Sequence, residues 1–103
     1  MYNNDQFEIL RKIEKKPNTT QRKLALDLGF SVGKLNYCIK KLQDKGLIKI
    51  KNFNNNPEKM NYAYYLTPKG ISEKIKLTYN FMKRISKEYD ELKKELRISK
   101  NKF

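Results

Sequence analysis

The 103-residue chain contains no histidine and no tryptophan, and its only cysteine is Cys38. Without histidine it lacks the commonest general base near neutral pH and the commonest transition-metal ligand. A lone thiol cannot close an internal disulfide. There is also no phosphate-binding glycine loop and no carboxylate pair in an apolar setting. The acids stand among lysines instead, as Glu88, Asp90 and Glu91 do ahead of Lys93 and Lys94, which reads as solvated helix surface. Neither an enzyme nor a metal or cofactor is expected. Long apolar runs are missing as well: nothing approaches the ~20 residues that a bilayer-spanning helix needs. The opening residues, Met1 to Gln6, carry no apolar stretch of the kind a secretory signal has. A cytoplasmic protein without membrane attachment is the expectation.

Acid is scarce too. Eleven Asp+Glu face 24 Lys+Arg, a formal charge of +13. An excess of this size suits a polyanionic partner, and nucleic acid is the usual one. The plainer reading, lysines placed on the surface for solubility, needs no partner at all. The length allows one small domain with a single core.

What is present is helical periodicity broken by turn residues. Phe7, Leu10 and Ile13, with Ile9 beside them, predict a helix from residue 4 or 5 to residue 16, stopped by Pro17. Thr19 or Thr20 caps a second helix that buries Leu24, Ala25 and Leu28 and ends at Gly29, which tolerates a left-handed backbone. Ser31 then caps a third helix over residues 31–45, with Leu35, Ile39 and Leu42 on one face, Cys38 adjoining, and Gly46 ending it. Two helices joined so tightly cross steeply, and the second can lie in a DNA major groove. Its face away from the apolar stripe holds Gly33, Tyr37 and Lys40, with Asn36 to one side and Lys34 and Lys41 to the other.

Residues 47–53 and 62–66 are short, partly alternating and rich in β-branched or aromatic side chains, as half-buried strands are. The polar stretch between them would form the tip of a hairpin, a wing. Thr67 and Pro68 suit the cap and first position of a last helix. Its stripe of Ile71, Ile75, Thr78, Met82, Ile85, Tyr89, Leu92 and Leu96 alternates steps of four and three, the heptad pattern of a coiled coil. The expected fold is mainly α with a small β-hairpin (α+β). It comprises a winged helix-turn-helix over residues 1–70 and a dimerisation helix over residues 71–103, whose part beyond about Met82 requires a second copy.

Five segments carry a family resemblance: Gln21 to Ala25, Leu28 to Ser31, Gly33 to Cys38, Asp44 to Leu47, and Tyr62 to Ile71. Together they resemble the MarR-type winged helix-turn-helix proteins described as EPS-associated transcriptional regulators. The resemblance implies a DNA-binding transcription factor acting as a dimer. The chain departs from typical MarR proteins in lacking a longer N-terminal dimerisation helix and an acidic, arginine-bearing wing. A phenolic-ligand pocket is therefore not carried over, and no small-molecule effector is expected.

The double-stranded DNA contacts expected on this reading start from Gln21 and Arg22, which open the second helix near backbone phosphates. Gly33, without a side chain, lets the third helix approach closely, and the N-terminus that Ser31 caps faces a phosphate. Lys34, Lys40 and Lys41 would pair with phosphates, while Asn36 and Tyr37 make directional contacts to bases or backbone. Lys51 and Lys59, flanking or within the 52–61 loop, would reach phosphates or the minor groove, or the loop takes no part. No arginine occupies the recognition face, so the bidentate arginine–guanine contact is missing. Tyr62, Tyr64 and Tyr65 are read as core residues rather than stacking platforms, and Cys38 as a small core residue. Thr78, Met82, Ile85, Tyr89, Leu92 and Leu96 would join two chains into a homodimer. Two other functions fit the composition: an architectural protein coating DNA with little sequence preference, and a winged-helix adaptor for other proteins.

Overall fold

The computed structural model describes residues 4–16, 19–52 and 62–102. In order, these form α1 (Asn4–Lys15), α2 (Gln21–Leu28), α3 (Val32–Asp44), β1 (Ile48–Asn52), β2 (Tyr62–Leu66) and α4 (Pro68–Lys102). Pro17, the expected stop of α1, and most of the expected wing tip lie outside the described residues.

The local chemistry of the turns follows the sequence closely. Thr20 caps α2, its hydroxyl accepting from the Lys23 N–H at 3.3 Å, and Ser31 does the same for α3 from Lys34 at 3.1 Å. Both helices end in a Schellman arrangement around a left-handed glycine. Gly29 has φ 69°, with the Phe30 N–H donating to the Ala25 carbonyl. Gly46 has φ 73°, with the Leu47 N–H donating to Leu42. A side chain would resist that backbone region at either place.

The core lies where the three N-terminal helices meet the hairpin. Ile9, Leu10 and Ile13 of α1 join Leu24 of α2, Leu35, Ile39 and Leu42 of α3, and Leu47, Ile48 and Tyr64 of the hairpin. The strands are antiparallel, from Ile48 opposite Leu66 to Asn52 opposite Tyr62. A bridge from Thr20 to Ala63 ties β2 to the entrance of α2 and helps bury Ala63. Of the tyrosines read as core, Tyr64 is buried, but Tyr65 is 43% exposed. Strand alternation turns Tyr65 outward, opposite Lys49, because its neighbour Tyr64 takes the inward position. The Tyr62 side chain lies outside the described residues.

The start of α4 is locked onto the end of α3. The Thr67 hydroxyl donates to the Gly46 carbonyl at 2.6 Å and accepts from the Gly70 N–H at 3.0 Å, while the Thr67 N–H donates to Leu47 at 3.0 Å. At Gly70 the helix passes so close to the Leu47 carbonyl that a Cβ would collide with it. Further along, α4 rests on α1 through Phe81 and Phe7, whose ring centroids are 5.4 Å apart. The Lys74 ammonium reaches Glu14 at 2.9 Å.

Beyond this contact the described side chains of α4 are exposed, and the protein is 66 Å in its longest dimension. Exposure of the heptad stripe begins earlier than about Met82, since Ile71 and Ile75 are 44% and 50% exposed. The domain covers the side of α4 that carries Leu77 and Phe81, and the heptad stripe lies beside that contact. Among the described residues, no helix is long and apolar enough to cross a membrane, and no group of acidic or cysteine side chains could hold a metal ion.

Candidate nucleic-acid interface

Burial of Leu35, Cys38, Ile39 and Leu42 fixes the orientation of α3. Gly33, Lys34, Asn36, Tyr37, Lys40 and Lys41 are consequently all exposed, with Tyr37 at 62%. The expected recognition face is thus one continuous surface, and its side chains are arranged in pairs. The Lys41 ammonium sits 4.7 Å from the Tyr37 ring centroid, one helical turn away. A hydrogen bond with Tyr37 holds Lys41 above the ordinary lysine value, so its charge is retained at every physiological pH.

Lys34 is held differently. Its ammonium lies 3.3 Å from the Asp5 carboxylate of α1 and 4.2 Å over the Phe30 ring. Any phosphate reaching Lys34 must share it with Asp5, which the sequence did not reveal because the two residues are distant in the chain. Gly33 is a contrasting case: a Cβ there would meet nothing within 4 Å, and its φ is not left-handed. Nothing among the described residues requires glycine at that position. The Ser31 hydroxyl is engaged as the helix cap, with its residue still exposed.

Gln21 departs from expectation. Its side chain is 2% exposed, and its Oε1 accepts from the buried Tyr64 hydroxyl at 3.3 Å. The helix packs this side inward, so Gln21 joins α2 to the hairpin and its side chain does not reach a phosphate. Arg22 and Lys23 are exposed beside it, and Lys23 is a candidate that sequence reasoning missed. Lys51 pairs with Ala63 through its backbone; its side chain, Lys59 and the 53–61 segment lie outside the described residues.

Between α3 and the hairpin runs a shallow groove of about 220 Å³, lined by Asn36, Lys40 and Gln43 with Ile39, Ile50 and Tyr64. It brings Gln43, another residue not singled out from sequence, beside the two expected contacts. Three-step helical spacing from Lys40 was the available signal. Cys38 lies beneath this surface. Burial, reinforced by Asp5 and opposed by Lys34 and Lys41, pushes its thiol above the ordinary value. A thiol held protonated is a poor nucleophile, as suits a small core residue.

Residues 6–49 match the family described as winged helix-turn-helix DNA-binding. No curated protein matches the chain. Among solved structures, a MarR family transcription regulator is 22% identical and superposes with a TM-score of 0.69, covering 82% of this chain and 55% of that one. A variant of ZitR from Lactococcus lactis is 26% identical, with a TM-score of 0.69, 90% of this chain and 67% of that one. A variant of MepR from S. aureus is 18% identical, with a TM-score of 0.73, 87% of this chain and 66% of that one. The chain therefore spans from 55% to 67% of the length of these structures. The fold, together with the match of residues 6–49 to the winged helix-turn-helix DNA-binding family, shows that the chain has a winged helix-turn-helix fold similar to that of a MarR family transcription regulator.

Proposed function

We propose that the protein is a homodimeric, sequence-selective DNA-binding regulator of transcription that lays α3 in the major groove. One observation carries this reading. The face of α3 turned away from the core exposes a side-chain-free Gly33, two directional groups in Asn36 and Tyr37, and cations in Lys40 and Lys41. Lys40 and Lys41 take phosphates, Arg22 adds another contact at the start of α2, and Gly33 lets the helix start come close. With no arginine on this face, Asn36 is the chief base reader, its amide matching the N6 and N7 edge of adenine. Wing contacts come from Lys51 and the 52–61 loop with Lys59. Residues 1–70 bind DNA and residues 71–103 dimerise through Thr78, Met82, Ile85, Tyr89, Leu92 and Leu96, giving a two-fold protein for a palindromic site. The reading needs neither a cofactor, a membrane nor a small-molecule effector.

Titration of duplexes under varied salt tests it. Counterion release by several lysine–phosphate contacts should lower affinity by orders of magnitude between ~50 and ~200 mM salt. Lys40→Ala should weaken all duplexes about equally, whereas Asn36→Ala should erode discrimination between sequences. An unchanged sequence preference in Asn36→Ala removes that residue as a base reader. The lysine-rich, arginine-free α3 favours one second reading, an architectural protein. Equal affinity for genomic target and random duplex at fixed salt would support it.

A further inference from the structure

A line of lysines runs along α4 on the side turned away from the rest of the protein. At ~100° per residue, Lys69, Lys76, Lys83, Lys87 and Lys94 fall within about 40° of one another. The residues of α4 that meet the domain, among them Gly70, Lys74, Leu77 and Phe81, centre more than ~120° away from that line, and the heptad stripe about 150° away. All five lysines are exposed, and neither the domain nor a second chain on the heptad stripe would cover them. Among the described residues no ion pair holds a lysine of this line. The nearest acids on the helix, Glu73, Asp90 and Glu91, stand ~40–60° to either side, three or four positions from every lysine of the line except Lys83, and leave the outer edge of the row uncovered.

These charges bring the fold little, a few tenths of a kcal/mol at most from each exposed pairing with Glu73, Asp90 or Glu91. Lys83 and Lys87 are one turn apart, a like-charge spacing that opposes helix formation by a few tenths of a kcal/mol. Solubility does not require them, since without these five lysines the chain's net +13 would still be +8. A straight row ~38 Å long, at 1.5 Å per residue, matches a rod of opposite charge. Duplex DNA is such a rod, with about one negative charge per 1.7 Å of its axis.

We propose that the outer face of α4 is a second nucleic-acid contact, binding the backbone of another duplex segment without sequence preference while α3 holds the first. The proposal rests on the reading of α3 above. Each contact is lysine to phosphate, so the protein would bridge two stretches of DNA.

The test immobilises a duplex of ~20 base pairs carrying the preferred site, adds the full-length protein, and then passes an unrelated labelled duplex over the surface. The wild type should capture the second duplex, and ~200 mM salt should release it. A variant with Lys76→Gln, Lys83→Gln, Lys87→Gln and Lys94→Gln keeps good helix formers at exposed sites, and circular dichroism verifies its fold. It should bind the first duplex as the wild type does and capture at least ~10-fold less of the second. Equal capture by the variant overturns the proposal, because paired α3 surfaces would then account for bridging. So does a wild type that holds the first duplex and captures none, or one that prefers vesicles of anionic phospholipid to the second duplex. Failure of the α3 reading has a different signature. Lys40→Ala would then leave binding of the first duplex intact while the quadruple variant abolished it, which supports α4 as the DNA surface.

Discussion

Replacing Gly33 by alanine should make the protein more stable and a poorer DNA binder. Gly33 is the second residue of α3, its φ is not left-handed, and the space where a Cβ would stand is open. The folded state accommodates alanine without strain, while the unfolded chain loses freedom, so folding gains ~0.5–1 kcal/mol. Near a helix start the lower figure applies, which corresponds to a rise in Tm of roughly 2–4 °C for a domain this size. On the proposed α3 contact, the same methyl group would stand where backbone meets DNA most closely and would push the start of α3 outward. That displacement weakens the contacts of Asn36 and Tyr37 together. A loss of about tenfold in affinity, ~1.4 kcal/mol, is expected. Thermal unfolding followed by circular dichroism reads the first effect, and fluorescence anisotropy with a labelled duplex at fixed salt reads the second. A lowered Tm would expose an internal constraint that the open space around Gly33 denies. Unchanged affinity would mean that this end of α3 does not meet DNA.

Three further outcomes are expected. Gly70→Ala should destabilise by ~1–3 kcal/mol, because its Cβ runs into the Leu47 carbonyl and must push α4 away from the end of α3; a Tm equal to wild type in thermal melts would refute that packing. Ile85→Asp with Leu92→Asp should give a monomer with an intact winged domain and much weaker operator binding, as linked half-sites are lost; sedimentation as a dimer would defeat the assignment of the α4 stripe. Cys38 should resist iodoacetamide in the native protein, with the onset of labelling shifted to higher pH than in urea, because burial raises its pKa. The sign for stability follows: the folded state favours the protonated thiol, so that contribution is full below the ordinary thiol range and fades as pH rises through the folded value. Native labelling as fast as unfolded labelling would show that the thiol is not shielded.

Much of the fold was legible because it rests on local rules. The capping contacts of Thr20, Ser31 and Thr67 to the N–H groups three residues on, and the left-handed turns at Gly29 and Gly46, are local, so caps and turns could be read from adjacent letters. The buried stripe of α3 likewise follows from helical spacing alone, and with it the outward side of Asn36, Tyr37 and Lys40. The candidate site was less legible where a residue's role depends on what lies across space. Gln21 resembled a surface residue at a helix start until Tyr64, 43 positions away, took its carbonyl. Tyr65 and Tyr64 are alike in type, and only the register against β1 sends one inward and the other out.

The sequence by itself determined the order of helices and strands, the caps and turns between them, the basic character and the heptad pattern of α4. These depend on hydrogen bonds and periodicities within single elements. The tertiary structure alone decided that Lys34 is shared with Asp5, that Gly70 must be glycine against Leu47, and that α4 meets α1 through Phe81 rather than through its heptad stripe. Each is a meeting of residues far apart in the chain. Periodicity tells which faces of a helix are apolar, but when two faces compete, the shape of the neighbouring core selects which one is covered.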